Sequence, residues 1–264
     1  MGRNFNKNGN RFDTSFERTR YRVEIAVMFK IVRIPPKLHI FFDSLKDRFL
    51  YNHFDYFQIL VVLMAFAWGR HTLSALYRHL DGRHQPHRSR FNNFLKVGRW
   101  DPKAALQQKA HELLAALCPK ANEVIELILD DSKKAKRGQH MEAVGWIHDP
   151  TTGRTLRGHQ YVCALLHFRG QVIPWGLRLY VKKELCPNLG QPFRKTTQLA
   201  ADLIREFTAP KGVRVRVLFD SYYLCPAVVS ACRDQGFHYV SSLKNNRNLF
   251  RVHFHIRLSC LYDS

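Results

Sequence analysis

The amino-acid sequence predicts an α/β protein with a mixed β-sheet in its C-terminal half and an all-α region before it. Three observations lead to this prediction. Apolar residues repeat at helical spacing before residue 120, and after about residue 123 they form the short runs that are typical of strands. Several of these runs are apolar throughout, which indicates strands covered on both faces. Two of the runs end in aspartate.

The composition indicates a folded protein that attracts polyanions. A chain of 264 residues with 45% hydrophobic and 12% aromatic content can bury a core in one large or two modest domains. Its 42 Lys and Arg residues against 21 Asp and Glu residues give a net charge of +21. Such a field favours nucleic acid as the partner. Two alternatives remain open at this point. The chain could be a basic protein without a specific partner, or its partner could be an anionic membrane surface.

The cysteines and apolar segments favour the cytoplasm. The six cysteines include no C-x-x-C pair, and no zinc-ligand spacing stands out among the 14 histidines, so reduced thiols are expected. No apolar signal core follows Met1. The longest apolar run, residues 57–68, is too short for a bilayer, which needs about 20 residues. We therefore expect a cytoplasmic, nucleoid-associated protein that does not enter the membrane.

The first 120 residues are predicted to form a basic arm followed by a helical domain. Residues 1–22 are polar and rich in Asn and Arg, which is typical of a flexible arm. Residues 23–120 are predicted to be helical and to bind DNA. Phe41, Leu45 and Phe49 fall on one helical face, and residues 54–68 are apolar all round, as in the centre of a bundle.

Two more helices in this region have clear end signals. Ser89 is a plausible N-cap and Gly98 a plausible stop for a helix whose stripe is Phe91, Phe94 and Leu95. The Asp101-Pro102 pair starts the next helix. The helix that begins at Ser89 is a candidate for DNA recognition, but its Phe spacing fits a position in the bundle core equally well.

The region from 121 to 250 has the element order β-β-β-α-β-α-β. The predicted strands are residues 123–130, 159–168, 171–181, 213–220 and 236–244, and the predicted helices are residues 196–207 and 221–234. This is the order of the ribonuclease-H-like fold, in which the first and fourth strands lie side by side. Residues 251–264 read as an atypical tail.

This topology would bring together aspartates that are remote in sequence. Asp130 and Asp131 end the first strand, and Asp220 ends the fourth. Carboxylates held at adjoining strand ends suit Mg²⁺, which takes a few carboxylates with waters and substrate phosphate. Asp130 ranks first as the metal ligand and catalytic residue, paired with Asp220, and Asp131 is its substitute. Each aspartate alone could instead cap a turn or a helix.

Basic residues that follow these strands are predicted to contact DNA phosphates. A solvated charge run is the simpler interpretation of the same residues. The predicted DNA contacts are Lys133, Lys134, Lys136, Arg137, Arg194, Lys195, Lys244 and Arg247.

The segments ILDDSKKAKRGQHMEAVGWIHD and LFDSYYLCPAVVSACRDQGFHYVSSLKNNRNLF resemble bacterial insertion-sequence transposases of the DDE type. The resemblance covers roughly residues 38–250. It implies a ribonuclease-H-like catalytic domain, Mg²⁺ or Mn²⁺ that is not stably bound without DNA, and double-stranded DNA with terminal inverted repeats as the partner. It places the first family aspartate on Asp130 or Asp131 and the second on Asp220, with a homodimer as the candidate assembly.

The third acid of that family, a glutamate on a later helix, has no counterpart in the sequence. No glutamate follows Glu206, and the acids after Asp220 are Asp234 and Asp263. We therefore expect an incomplete, C-terminally truncated catalytic domain. The favoured function is a transposase that cleaves phosphodiesters and transfers strands at element ends, inactive or impaired here. The alternatives are a non-catalytic DNA-binding remnant and a nuclease of RNA–DNA hybrids.

Overall fold

A computed structural model describes residues 34–243 except residues 51, 68, 82–85, 139 and 150–151, and it describes only the backbone of residues 248–251 and 254–257. The predicted arm, Lys244 and Arg247 therefore lie outside the described residues. The chain divides into two units, Met1–Asp101 and Pro102–Ser264.

The described part of the first unit is mainly helical. Its helices are α1 (Pro36–Asp43), α2 (His53–Phe66), α3 (Leu73–Tyr77) and α4 (Arg88–Val97), with a 3-10 turn at Lys46–Arg48. Aromatic rings fill its core, including those of Phe49, Phe91, Phe94 and Trp100. The all-α character of the whole N-terminal domain remains a prediction. No described helix of the chain combines the length and apolar character that a membrane crossing needs.

The helical stripes predicted for this unit are only partly correct. Leu45 and Phe49 are buried, but Phe42 replaces Phe41 in the core because the chain leaves the α-helix after Asp43 and turns through the 3-10 segment. In α4, Phe91 and Phe94 are buried while Leu95 is exposed. The two phenylalanines of α4 therefore serve the core of this unit.

The second unit contains a helix, a six-stranded mixed sheet, two further helices and a separate hairpin. Its elements are α5 (Pro102–Ala116), β1 (Val124–Ala135), β2 (Gly145–Asp149), β3 (Arg154–Phe168), β4 (Gln171–Tyr180), α6 (Thr196–Arg205), β5 (Arg214–Phe219), α7 (Pro226–Asp234), β6 (His238–Ser241), β7 (Asn248–Arg251) and β8 (Phe254–Arg257).

The strand pairing places β1 in the centre of the sheet. β1 is antiparallel to β3 on one side and parallel to β5 on the other, and β6 follows β5 in parallel. β4 and β2 both pair with β3, and they do so along different parts of its length. The mixed sheet with helices agrees with the predicted fold class. The predicted adjacency of the first and fourth long strands is observed as the pairing of β1 with β5.

One face of the sheet carries the core of the unit. The buried side chains alternate along β1 as Ile125, Leu127 and Leu129, because successive residues of a strand point to opposite faces. They form one cluster with buried residues of α5, α6 and α7. We call this side the covered face. The side that carries Glu126, Ile128 and Asp130 is the open face, and its described side chains are half-buried or exposed.

The structure corrects several predictions in this unit. β1 continues to Ala135, because its residues beyond Leu129 still pair with β3 as far as Gly158. A short strand, β2, lies in a region for which no strand was predicted, and it pairs with the N-terminal part of β3. The second helix begins at Pro226, because residues 221–223 form a turn.

Candidate functional site

Asp130 on β1 and Asp220, the residue that follows β5, lie at the same level of two adjoining parallel strands. The last registered pair of β1 and β5 is Ile128 with Leu218, and each aspartate comes two residues later in its chain. Neighbouring strands run about 5 Å apart. The correction to the prediction is that Asp130 lies inside β1, whereas Asp220 immediately follows β5. The two acids therefore lie at the edge where the shorter strand stops.

Asp130 and Asp131 point to opposite faces of β1. Asp130 follows Glu126 and Ile128 on the open face and is exposed. Asp131 follows Leu129 on the covered face, where Lys133 Nζ lies 2.9 Å from its Oδ2 and Gln160 Nε2 donates to the same oxygen at 3.0 Å. Asp131 is therefore already engaged by a cation and an amide.

The turn after β5 fixes the carboxylate of Asp220. Its Oδ1 accepts hydrogen bonds from the backbone N–H groups of Tyr222 at 3.1 Å and Tyr223 at 3.3 Å. Ser241 on β6 donates its hydroxyl to the Asp220 carbonyl at 3.1 Å. Asp220 is nevertheless exposed, so one carboxylate oxygen can hold the turn while the group still faces solvent.

Tyr223 is a residue of this region that the sequence analysis did not identify. Its side chain is fully buried, and its hydroxyl has no hydrogen-bond partner among the described residues. Burial raises the pKa of this phenol, and the negative charges of Asp131, Asp220 and Asp130 add to that effect. The hydroxyl therefore stays protonated beside the acids. An aromatic residue three positions after an acid is too common a pattern to signal this position.

Cys163 is the cross-strand partner of Asp130 and shares its face. Burial raises the pKa of the Cys163 thiol, and Asp130 and Asp131 raise it further. At neutral pH the thiol is therefore protonated. A neutral thiol beside the acids is a poor nucleophile, so the carboxylates are the groups that define the chemistry at this edge.

Asp130 and Asp220 carry the donor atoms that a hard divalent cation takes. Asp130 and Asp220 supply oxygen donors on adjoining strands, which is what Mg²⁺ and Mn²⁺ bind together with waters and phosphate oxygens. Within the described residues, no group of three or more His, Cys, Asp or Glu side chains could hold a metal ion. Among the described residues, the candidate ligands are therefore the carboxylates of Asp130 and Asp220.

The predicted DNA contacts fall into two classes. Lys133 is paired with Asp131, and Arg194 is paired with Asp202 on α6, so both are engaged within the protein. Lys134 and Arg137 are exposed and Lys136 is half-buried.

The backbone N–H of Lys195 donates to Gln198, which places this lysine at the start of α6. The Lys133–Arg137 segment lies close to Asp130 because it begins only three residues later in the chain.

Comparisons with known proteins give one family match. A model described as DDE superfamily endonuclease matches residues 50–257 of the chain. None of the curated protein sequences matches at a significant level.

Among solved structures, the Mos1 strand transfer complex is 16% identical over 89% of this chain and 69% of that chain, with a TM-score of 0.23. The Mos1 transposase paired-end complex with left transposon end is 16% identical over 88% of this chain and 68% of that chain, with a TM-score of 0.22. A Mos1 mariner paired-end complex with Mn is 15% identical, with a TM-score of 0.18. At these scores, no residue role is carried over from these complexes.

Proposed function

The chain belongs to the DDE superfamily endonucleases, and we propose that it acts on DNA as a transposase of an insertion sequence, with Asp130 and Asp220 as its acidic pair. The observation that supports this assignment most strongly is the parallel register of β1 and β5, which brings two sequence-remote aspartates to one edge of the sheet. The sheet order, with β1 between β3 and β5, supports a ribonuclease-H-like catalytic domain.

The reaction proposed is cleavage and transfer of a phosphodiester at the ends of the element. Asp130 and Asp220 would hold a divalent cation through their exposed carboxylate oxygens. Bound there, Mg²⁺ or Mn²⁺ supplies activation of the attacking oxygen and stabilisation of the leaving oxygen. The turn after β5 holds Asp220 through two backbone N–H groups, so the carboxylate is oriented before a cation binds.

Lys134 and Arg137 position the DNA beside these acids. Both are exposed and lie within seven residues of Asp130 along β1 and its continuation. Contacts of this kind go to phosphate oxygens and carry no sequence information, so they set the path of the DNA backbone across the open face. The net charge of +21 supports the same polyanionic partner. A homodimer located in the cytoplasm is the assembly that accompanies this proposal.

A second candidate function is DNA binding without cleavage. The ion pair of Asp131 with Lys133 favours it, because Asp131 is then a structural acid and Asp130 and Asp220 are the two carboxylates left to the site. A DDE site normally has a third carboxylate, and a pair holds its cation less tightly. In this form the protein would keep its affinity for DNA ends and lose most or all of its catalysis.

The two candidates are separated by nicking of supercoiled plasmid in Mn²⁺, with DNA binding measured in parallel. Asp130→Asn and Asp220→Asn are the test variants. Asp234→Asn is the control, because Asp234 is an exposed acid on α7 that pairs with Arg205. We expect nicking by the parent protein and the control, and a loss of about 100-fold or more in both test variants.

Binding without nicking in all four proteins would favour the second candidate. Equal nicking in all four would remove Asp130 and Asp220 from the site. A protein that binds no DNA, even at low salt, would contradict both functions.

A further inference from the structure

The open face extends beyond Asp130 into a three-stranded platform. It consists of residues 132–135 of β1, residues 154–161 of β3 and all of β2, and we call it the hairpin extension. Partners across antiparallel strands share a face. Asp130 pairs with Cys163 of β3. Every second residue of β3 from Cys163 points to the same face, and these residues are Tyr161, His159 and Arg157. Arg157 therefore lies on the same face as Asp130.

Trp146 is the cross-strand partner of Arg157 and lies on this face. Its side chain is 60% exposed, and it has no ring contact with any described residue. The next residue, Ile147, points the other way and is buried, so the orientation of Trp146 follows from the strand and is not accidental. Six residues along β3 separate the levels of Asp130 and Trp146, which corresponds to about 20 Å.

The groups around Trp146 are mainly basic. Lys134 is exposed on the same face opposite His159, and His148 is exposed two residues after Trp146. The guanidinium of Arg157 donates to the Gly138 carbonyl at 2.7 Å. The acids near this region are Asp149, whose carboxylate accepts from Thr152, and the exposed Glu142, whose carbonyl oxygen lies 2.8 Å from His159 Nε2. A second copy of a chain with a net charge of +21 would be repelled here.

We propose that Trp146 is a stacking platform for an unpaired base of the DNA bound across the open face. The inference rests on the proposed function and adds a ligand to it, which is a nucleobase that has left the duplex. An indole face takes any base, because every base has a π-face, while neighbouring cations hold the phosphates. Duplex DNA alone offers no such face, since its bases are stacked on one another.

The test compares Trp146→Ala and Trp146→Phe on two DNA probes, a blunt duplex and the same duplex with a single-stranded overhang. Val172→Ala is the control, because Val172 is 59% exposed on the open face at the far end of β4. We expect Trp146→Ala to weaken binding of the overhang probe by about 5- to 100-fold and binding of the blunt duplex by less than about twofold. Trp146→Phe should keep most of the affinity.

Two further readouts belong to the same experiment. The salt dependence of binding should keep its slope in Trp146→Ala, because no phosphate contact is lost. The overhang probe should quench tryptophan fluorescence of the parent protein, and Trp146→Phe should remove that quenching. Thermal unfolding of each variant checks that the fold is intact.

Equal effects on both probes, or a Trp146→Phe variant as weak as Trp146→Ala, would overturn the stacking role. A change in sedimentation of Trp146→Ala without a change in DNA affinity would identify a protein interface instead and also overturn it. If the parent protein binds neither probe, the proposed function fails as well. If it binds both and Trp146→Ala changes nothing, only the role of Trp146 fails.

Discussion

The two faces of the sheet treat adjacent acids in opposite ways. Asp131 lies on the covered face, where it is held by Lys133 and Gln160 and approaches the buried Tyr223. Asp130 lies on the open face, is exposed, and is at the same level of the sheet as Asp220. Neighbouring residues of a strand point to opposite faces. Asp131 is therefore held within the protein, whereas the carboxylate of Asp130 is left for a cation.

The same contrast extends to the apolar residues. The covered face is closed by helices, and the β1 leucines on this face, Leu127 and Leu129, are buried. The open face presents Leu177 and Val172 to solvent, and Ile128 on this face is half-buried. A substitution should therefore have very different consequences on the two faces, which makes the comparison measurable.

The largest difference is expected from matched leucine truncations. Leu127 is 0% exposed on the covered face, and Leu177 is 52% exposed on the open face. Leu127→Ala should lower the free energy of unfolding by about 2–5 kcal/mol, because it leaves a cavity. Leu177→Ala should change it by about 0.5 kcal/mol or less. Urea unfolding of both variants measures this, and similar losses would mean that both faces are covered.

Removing the Tyr223 hydroxyl should stabilise the protein in the absence of metal. The buried hydroxyl has no partner among the described residues, and an unsatisfied buried hydroxyl costs about 1–3 kcal/mol. Tyr223→Phe keeps the ring and removes this cost, so the free energy of unfolding should rise by about 1 kcal/mol. Tyr239→Phe, on the exposed strand β6, is the control. A destabilised Tyr223→Phe variant would show that the hydroxyl is satisfied by a group such as bound water.

Glu206 should make the covered side of the unit sensitive to acid. Burial raises the pKa of Glu206, but hydrogen bonds from Lys103, Arg178 and Gln107 outweigh it, and the net pKa lies below the ordinary value of 4.5. The depressed pKa stabilises the fold above the unfolded-state value, and this contribution is lost as the pH falls through the folded-state value.

Glu206→Gln should therefore cost about 1 kcal/mol at neutral pH and much less at about pH 3. Urea unfolding at both pH values measures the difference. An equal cost at the two pH values would indicate packing and not charge.

The smallest effect should distinguish two neighbouring lysines. Lys134 is exposed on the open face, whereas Lys133 is paired with Asp131 on the covered face. Lys134→Ala should reduce the slope of log affinity against log salt by about 0.9, the value of one lost phosphate contact. Lys133→Ala should leave the slope nearly unchanged. If the two variants behave alike, the ion pair does not restrain Lys133.

Much of this arrangement follows from sequence alone, because the relevant signals are periodic. Alternating buried residues identify β1 and β5, and the long apolar runs indicate parallel neighbours. The sequence could rank Asp130 above Asp131 for the same reason, since a continuing strand separates them onto two faces. The family match over residues 50–257 agrees with the resemblance of the acid-bearing segments.

The remaining features depend on tertiary pairing, which a local pattern cannot encode. β1 extends through a lysine-rich segment because β3 supplies hydrogen-bond partners there. β2 is too short and too mixed in composition to be predicted, and it forms only against β3. Tyr223 becomes a neighbour of three acids only after the turn that follows β5 has folded. The replacement of Phe41 by Phe42 in the core likewise follows from where α1 ends.

The most direct test of the shared acidic edge is a pair of engineered disulfides, identified by peptide mass spectrometry after oxidation. Cα atoms on adjoining strands are close enough for a disulfide only if the two Cβ atoms point the same way. In a Cys163→Ala background, Asp130→Cys with Asp220→Cys should cross-link readily, and Asp131→Cys with Asp220→Cys should not. Cross-linking of the second pair alone, or of neither pair, would contradict the assignment of Asp130 and Asp220 to one site.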